Sequence, residues 1–221
     1  MAIYIWHSDL QAAYIGGKPS RSPWANTYAY YPLTANANDT SGNNRNMTAA
    51  SAITYSAENW AYFPNSAHTW MLEPFNITSS WTWTFSWWQK TIAVRESDCR
   101  WIDIYWGSTS SNRRLCTIWQ SNTQKFWRWS SATYQFASNT ENANTWYLNT
   151  VTLNNWVLKA YVNWVYLWTG NVTTGYTSSY FRWGQEFNNW ANRQLYGYIK
   201  DIIVESIVWS DTDVANYYNT Y

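Results

Sequence analysis

The stretch LKAYVNWVYLWTG, Leu158 to Gly170, predicts a β-hairpin. Apolar and aromatic side chains alternate on both sides of Asn163-Trp164, and two such runs separated by two residues form the shortest hairpin. The type I′ turn of that hairpin requires positive φ at both central residues and therefore favours Asn-Gly. Asn tolerates a positive φ, whereas a bulky Trp adopts it only at a cost in free energy. The sequence thus predicts two antiparallel strands joined by an unusual turn.

The same dipeptide recurs at other turn-like places, while the whole chain has only eight glycines. Two interpretations stay open. Trp can be present at these turns, forced into wider loops and displayed at exposed tips. Alternatively the codon is UGA, which some bacteria read as Trp and others as Gly, and the native residue is Gly. The further pairs are Asn59-Trp60, Asn155-Trp156 and Asn189-Trp190.

Most of the chain after Trp24 has the two-residue period of β-strands. SWTWTFSWW, Ser80 to Trp88, alternates aromatic and hydroxyl side chains and predicts a half-buried antiparallel strand. A short helix is predicted from Ser210 to Tyr218, because Ser210 and Asp213 have the spacing of a capping box. Further strands are predicted at Arg100–Trp106, Arg114–Gln120, Lys125–Trp129, Trp146–Leu153 and Tyr196–Trp209.

Composition indicates one all-β domain and excludes two classes of partner. The 221 residues include 20 Trp and 19 Tyr, only 12% are charged, and the net charge is +1. This charge gives no electrostatic reason to expect nucleic acid or an anionic membrane as partner. No apolar run approaches the ~18 residues of a membrane span. The start, MAIYIWHSDL, lacks the basic region of a secretory signal, so synthesis and folding in a cytoplasm are expected.

Three segments, in this order, resemble the concanavalin A-like jelly roll in its laminin G-like form. The resemblance covers residues 24–221 and implies an all-β, two-sheet antiparallel sandwich with one short C-terminal helix. It also implies glycan or protein binding. The segments are YYPLTANANDTSGNNRN (Tyr30–Asn46), similar to Y-x-L-x-x-N-A-x-D-x-S-G-N; LKAYVNWVYL (Leu158–Leu167), similar to L-Y-V-N-G; and LYGYIKDIIVESIVWSDTDVANYYN (Leu195–Asn219), similar to G-x-I-D-D-V-x-I-Y…L-S-x-x-E-I-x-x-L-Y.

Residues 1–23 differ from the rest and end in a Gly/Pro/Ser linker. They can form a small hairpin on the main domain or an anchoring arm. Their IYIWHSDLQAAYIGGKPS resembles the starts of bacteriophage structural proteins. This resemblance implies a virion-surface protein (capsid decoration, head fibre or tail fibre) whose arm binds other virion proteins or another copy. The alternative is an extracellular bacterial carbohydrate-binding module or lectin that is not attached to a virion.

Tryptophans in loop-like places are the candidate binding residues. Sugar rings stack on the faces of Trp and Tyr, which combine an apolar body with a polar group. We therefore predict a host-surface glycan as partner, with core packing, contacts in a homo-oligomer and recoded glycine as alternatives. The candidates are Trp60, Trp70, Trp156, Trp164, Trp168 and Trp190.

The sequence argues against catalysis. Glucanases with this fold carry Glu-x-Asp-x-x-Glu, whereas ESDCRW has Glu96 and Asp98 but Trp101 at the last position. A retaining glycosidase needs both carboxyl groups, so a degraded glucanase is the weakest of the three functional hypotheses. The two histidines, His7 and His68, form no recognisable triad.

Two further features leave alternatives open. The segment NANDTSGNN offers oxygens for calcium from Asn36, Asn38, Asp39 and Asn43, but the same residue types form ordinary turns. Cys99 and Cys116 flank a predicted hairpin and form either a cross-strand disulfide or, as we favour without a secretory signal, two free thiols.

Overall fold

Two antiparallel β-sheets and one α-helix make up the described part of the chain. The computed structural model describes residues 26–58, 60–64, 71–74, 82–93, 99–106, 114–120, 123–129, 133–155, 157–171, 178–184 and 195–220. The predicted arm, residues 1–23, lies outside these ranges.

Fifteen strands and one helix are described, and they are numbered here in chain order. The strands are β1 (Thr27–Tyr31), β2 (Thr48–Ala49), β3 (Thr54–Ser56), β4 (Trp60–Phe63), β5 (Met71–Pro74), β6 (Thr82–Thr91), β7 (Cys99–Trp106), β8 (Arg114–Gln120), β9 (Thr123–Trp129), β10 (Thr133–Thr140), β11 (Trp146–Asn154), β12 (Val157–Val162), β13 (Val165–Asn171), β14 (Ser178–Trp183) and β15 (Gly197–Glu205), and the helix is α1 (Asp211–Tyr218).

The strands form the predicted two-sheet sandwich. Over the described residues, one sheet has eight strands in the order β13-β12-β11-β6-β15-β4-β3, and β1 also pairs with β15. The other sheet has seven, in the order β10-β9-β8-β7-β14-β5-β2. The fold class predicted from the sequence is therefore confirmed.

Aromatic rings of the two sheets meet in the core. The rings of Trp87 and Trp183 lie 5.5 Å apart at their centroids, and those of Phe85 and Phe181 lie 4.9 Å apart, both pairs edge to face. All four side chains are at most 2% exposed. Such pairs add ~0.5–1.5 kcal/mol to the free energy gained by burying the rings, so they fix one sheet against the other.

The prediction that the Ser80–Trp88 strand is half-buried is wrong for β6. Thr84 and Ser86, on the face opposite the core, are fully buried. The hydroxyl of Thr84 donates to the carbonyl of Ile207 (2.7 Å) and accepts from the backbone N–H of Trp209 (2.9 Å). The chain after β15 therefore crosses the outer face of the sheet, and the Thr hydroxyl supplies the hydrogen bonds that burial requires.

The C-terminal helix packs on this outer face. Its predicted capping box is present: the hydroxyl of Ser210 accepts from the Asp213 N–H (3.2 Å), and the Asp213 carboxylate accepts from the Ser210 N–H (2.9 Å). Among the described residues, no helix is long and apolar enough to cross a membrane. The helix buries a second, smaller apolar cluster against the sheet, formed by Tyr30, Trp88, Leu148, Tyr161, Ile203, Trp209, Val214 and Tyr217.

The register of β7 and β8 keeps the two cysteines apart. Cys99 lies opposite Trp119, and Cys116 lies opposite Asp103. Four positions along β7 (99 to 103) correspond to about 13 Å, whereas a disulfide joins Cα atoms less than about 7 Å apart. This register excludes a disulfide between Cys99 and Cys116.

The predicted hairpin turn is present. Val162 pairs with Val165, and φ is +46° at Asn163 and +62° at Trp164, as a type I′ turn requires. Trp60, which follows Asn59, also has a positive φ of +55°. The β12–β13 loop has not widened, so the bulky Trp164 takes a backbone conformation that favours glycine.

We expect Trp164→Gly to raise the free energy of unfolding by about 1 kcal/mol, measured by urea denaturation. The substitution removes a backbone strain of ~1–3 kcal/mol. It also removes the contact between the half-exposed Trp164 ring and the Tyr218 ring, whose centroids lie 4.5 Å apart, but this contact contributes less free energy than the strain costs.

Trp164→Ala is the matched control, because alanine removes the ring but keeps the Cβ that opposes a positive φ. The alanine variant should be less stable than the glycine variant. If the glycine variant were less stable than both the wild type and the alanine variant, the contacts of the Trp164 ring would contribute more to stability than the backbone strain costs. Peptide mass mapping of protein from its natural source then decides which residue the cell inserts.

A buried carboxyl group lies at the rim of the core. Glu141 is 1% exposed, and its carboxyl oxygens accept from the Gln89 side-chain amide at 3.2 and 3.4 Å. The carbonyl of the Gln89 side chain in turn accepts from the indole N–H of Trp87 (3.0 Å). Burial raises the pKa of Glu141 to about 8, and the hydrogen bond from Gln89 offsets only part of this effect.

We expect Glu141→Gln to stabilise the protein at alkaline pH. Between pH 4.5 and about 8 the folded state retains a proton that the unfolded state has lost, so wild-type stability falls as the pH rises through this window. One pKa unit corresponds to about 1.4 kcal/mol. The variant should therefore match the wild type at pH 4.5 and exceed it by a few kcal/mol at pH 9, in chemical denaturation at both pH values.

Glu58→Gln, at an exposed position, is the control and should leave the pH dependence unchanged. Parallel pH profiles for wild type and Glu141→Gln would contradict the prediction.

Candidate functional site

Four adjacent strands place four large side chains in one row on the outer face of the eight-stranded sheet. Trp146 of β11 lies opposite Lys90 of β6, Lys90 lies opposite Tyr198 of β15, and Tyr198 lies opposite Tyr62 of β4. Since neighbouring strands are ~4.8 Å apart, the row spans about 14 Å. All four side chains are partly exposed.

Further side chains widen this row into a surface. Tyr196 precedes β15, and its ring lies 6.4 Å from that of Tyr62. Lys200 extends over the ring of Trp60 at 4.2 Å, and Trp60 packs edge to face on Trp146 at 5.6 Å. We call the aromatic surface the set of Trp60, Tyr62, Lys90, Trp146, Tyr196, Tyr198 and Lys200.

Both lysines stand over aromatic rings. The Lys90 Nζ lies 4.5 Å from the Tyr198 ring centroid and 5.1 Å from that of Trp146. The Lys200 Nζ lies 5.0 Å from the same Trp146 centroid. Cation–π attraction at these distances holds the ammonium groups beside the rings, so the aromatic surface has a fixed positive charge.

Burial and neighbouring groups alter the acid–base properties of this surface. Burial raises the pKa of Tyr62, and the adjacent hydroxyl groups of Tyr196 and Tyr198 raise it further. Burial lowers the pKa of Lys200; the charge of Asp201 opposes this effect and that of Lys90 adds to it.

Gly197 allows β15 to approach β6 between the two tyrosines of the surface. A Cβ at this position would lie 2.1 Å from the carbonyl oxygen of Lys90, which no side chain could accommodate. The glycine therefore sets the close pairing that brings Tyr196 and Tyr198 beside Lys90.

Of the three predicted tryptophans that the structure describes, only Trp60 belongs to the aromatic surface. Trp164 is 47% exposed at the β12–β13 turn and contacts Tyr218. Trp168 is 39% exposed on the edge strand β13. Trp70, Trp156 and Trp190 lie outside the described residues, and binding by these loop positions stays a prediction.

The sequence analysis does not name the main residues of this surface: Trp146 and Tyr198 fall in predicted strands and are therefore assigned to packing, and Tyr62 and Lys90 fall in none of the predicted strands. The segment YGYIK, Tyr196 to Lys200, did contain a signal: its aromatic and basic side chains alternate with Gly197 and Ile199, which are buried. The side chains of Tyr196, Tyr198 and Lys200 lie on one face of the strand, and a face that ends in a lysine does not belong to an apolar core.

The predicted calcium loop is held together by its own hydrogen bonds. The Asp39 carboxylate accepts from the backbone N–H groups of Tyr30 (2.9 Å), Ser41 (2.9 Å) and Arg45 (3.0 Å). Burial raises the pKa of Asp39, but these bonds together lower it below its usual value. The Asn43 side chain donates to the carbonyl of Thr27 (2.8 Å).

These contacts are those of an ordered turn. The Asn36 side chain likewise accepts from the Asn38 N–H (2.9 Å). Within the described ranges, no group of three or more His, Cys, Asp or Glu side chains is arranged to hold a metal. Calcium binding by Asn38, Asp39 and Asn43 stays a prediction.

A groove of about 580 Å³ lies beside the N-terminus of the helix. There the Lys159 ammonium pairs with Asp211 at 3.3 Å, and the hydroxyl of Tyr161 donates to the same carboxylate at 2.7 Å. The charged groups of the groove thus satisfy each other, which makes the aromatic surface the stronger candidate for a ligand.

Solved structures with the same fold are similar to this chain. Domain 4 of the arabinanase AbnA from Geobacillus stearothermophilus, in complex with arabinotriose, has a TM-score of 0.69 at 18% identity; the match covers 87% of this chain and 98% of that one. Trypanosoma rangeli sialidase in complex with sialic acid has a TM-score of 0.75 at 10% identity, covering 93% of this chain and 35% of the sialidase. The botulinum neurotoxin serotype D binding domain has a TM-score of 0.65 at 16% identity; the match covers 88% of this chain and 51% of that one.

These likenesses show the fold, a β-sandwich of the jelly-roll kind. This chain spans about half of the toxin binding domain and about a third of the sialidase. No family model and no curated protein matches the chain.

We expect Asp39→Ala to lower the free energy of unfolding by about 1–3 kcal/mol, because three backbone N–H groups lose their acceptor. Asn38→Ala, at an exposed neighbouring position, should have a small effect in the same urea titration.

Thermal unfolding with calcium and with a chelator separates the two interpretations of this loop. A calcium-dependent rise in Tm that both variants lose would support the metal site. If calcium does not change the Tm of the wild type, the role of Asp39 is to stabilise the turn.

Proposed function

We propose that this domain binds glycans without catalysing their cleavage, through the aromatic surface. The observation that carries the proposal is the row Trp146, Lys90, Tyr198 and Tyr62, in register across four strands. Aromatic faces accept the apolar faces of sugar rings, and the hydroxyl and ammonium groups beside them donate hydrogen bonds to sugar oxygens.

The row is suited to an extended ligand. Its side chains stand on paired strands, so a glycan chain laid across them meets a surface that is already ordered, and little conformational entropy is lost on binding. None of the four residues belongs to an Asn-Trp pair. The proposal therefore holds whether those codons specify Trp or Gly.

Binding, as opposed to hydrolysis, agrees with the charge of the surface. A glycosidase of the usual kind needs two carboxyl groups flanking the scissile bond, whereas the charged members of the aromatic surface are Lys90 and Lys200. The glucanase-like segment with Glu96 and Asp98 lies outside the described residues. Among the similar structures, the arabinanase domain holds arabinotriose, which supports a carbohydrate as ligand.

The setting we propose is the surface of a virion, with the domain facing outward toward host-surface glycans. Its support is the resemblance of residues 1–23 to the starts of phage structural proteins, and those residues would bind other virion proteins. The alternative is a free extracellular bacterial carbohydrate-binding module or lectin. Deleting residues 1–23 distinguishes them: particle attachment should be lost in the first case, and no particle association should exist in the second.

We expect Trp146→Ala to weaken glycan binding about tenfold, or ~1.4 kcal/mol, as for the loss of one central aromatic contact. The measurement is a glycan array followed by titration calorimetry on the best ligand, with arabinan oligosaccharides among the first probes.

Tyr166→Ala is the control, because this exposed aromatic side chain lies on β13, outside the aromatic surface, and is not among the predicted binding residues. Circular dichroism should show both variants folded. Equal loss of affinity in the two variants, or none in Trp146→Ala, would exclude the aromatic surface as the binding site.

A further inference from the structure

We infer that the aromatic surface binds the interior of a single linear glycan chain, with one sugar unit on each of the Trp146, Tyr198 and Tyr62 rings. This inference rests on the proposed function and adds the part of the glycan that is recognised, its interior as opposed to a terminal sugar. The spacing of the three rings, the tilt between them and the open ends of the row support it.

The three rings of the row follow one another at a spacing similar to that of sugar units. The ring centroid of Tyr198 lies 6.4 Å from that of Trp146 and 5.1 Å from that of Tyr62. Consecutive units of an extended glycan chain are a similar distance apart. Lys90 stands on the strand between Trp146 and Tyr198, with its Nζ 5.1 and 4.5 Å from their ring centroids. The row therefore offers one aromatic contact to each of three units and a hydrogen-bond donor between two of them.

The rings of the row are tilted relative to one another. The plane of the Tyr198 ring makes an angle of 49° with that of Trp146 and of 37° with that of Tyr62. A sugar unit stacks its apolar face on an aromatic face, so successive units must rotate along the chain. A single chain rotates in this way about its glycosidic bonds, whereas chains packed in a flat crystalline face cannot. The ligand is therefore a separate chain and not the surface of an insoluble polysaccharide.

Both ends of the row are open among the described strands. Beyond Tyr62 the row continues to Thr54 of β3, which is exposed and lies on the last strand of the sheet order. At the other end, β12 pairs with β11 only from Asn149 onward, so no described strand flanks Trp146 on the side away from β6. A glycan chain can thus continue past both ends, which a site for a terminal sugar would prevent.

The helix fixes the direction of the chain. On the side of the row toward the helix, the next outward-facing side chain of β6 is Trp88, which is 6% exposed and stacks on Tyr218. The corresponding side chain of β11, Leu148, is buried in the same cluster. A glycan that ran along the strands would meet this covered region. The chain therefore lies along the row, across the strands.

Oligosaccharides of increasing length test the inference on the full chain. The probes are soluble arabino-, xylo- and chito-oligosaccharides of one to six units, titrated by calorimetry after a glycan array identifies the series that binds. We expect affinity to rise at least about tenfold from one unit to three and to change little from four to six, because further units lie beyond the rings. On the corresponding polysaccharide several domains should bind each chain, since interior sites repeat along it.

Substitution at one end of the row should shorten the segment that is recognised. Tyr62→Ala should bind a trisaccharide about tenfold more weakly than the wild type does, while disaccharide binding stays nearly unchanged because Trp146 and Tyr198 remain. Tyr166→Ala, on β13 outside the aromatic surface, is the control and should keep the wild-type dependence on length. If Tyr62→Ala does not fold, the length series on the wild type still decides.

The two proposals fail in different ways. A monosaccharide bound as tightly as a trisaccharide, a stoichiometry of one domain per polysaccharide chain, or binding to crystalline cellulose or chitin alone would each overturn the inference and leave the glycan-binding function standing. Binding to no glycan of any kind would overturn the proposed function itself, and the inference with it.

Discussion

The pairing register of β11, β6, β15 and β4 is the constraint on which both the core and the aromatic surface depend. In one row across these strands lie Tyr147, Gln89, Ile199 and Ala61, all buried between the sheets. The adjacent row holds Trp146, Lys90, Tyr198 and Tyr62 on the outer face. A change of one residue in the register of any of these strands would move its outer side chains to the core and its core side chains to the outer face. For β6 this would bury Lys90, and for β4 or β15 it would bury a tyrosine hydroxyl.

Features set by neighbouring residues were predictable from the sequence. The capping box at Ser210 and the turn at Asn163-Trp164 need only a few residues, and the structure confirms both. The aromatic surface depends on which strands become neighbours in the sheet. Lys90 and Tyr198 are 108 positions apart in the chain (198 − 90) and meet only through the pairing of β6 with β15. No local pattern contains that information.

The error at β6 has the same origin. Alternation along a strand separates two faces but does not say what covers each face. The hydroxyl face of β6 is covered by the segment from Ile207 and by the helix, elements more than a hundred residues away. Thr and Ser are usually exposed, and here their hydroxyls are buried because each finds a partner, as Ser86 does with Thr150 at 2.8 Å.

The end of the helix sets the border of the aromatic surface. Tyr218, the last helical residue, stacks on Trp88 at 5.7 Å between ring centroids, and Trp88 is 6% exposed. The Lys200 Nζ also lies near Trp88, 5.2 Å from its ring centroid. One row of the outer face is therefore covered at Trp88, while the next, with Lys90 and Trp146, remains accessible. The helix therefore buries one row of the outer face and leaves the neighbouring row partly exposed.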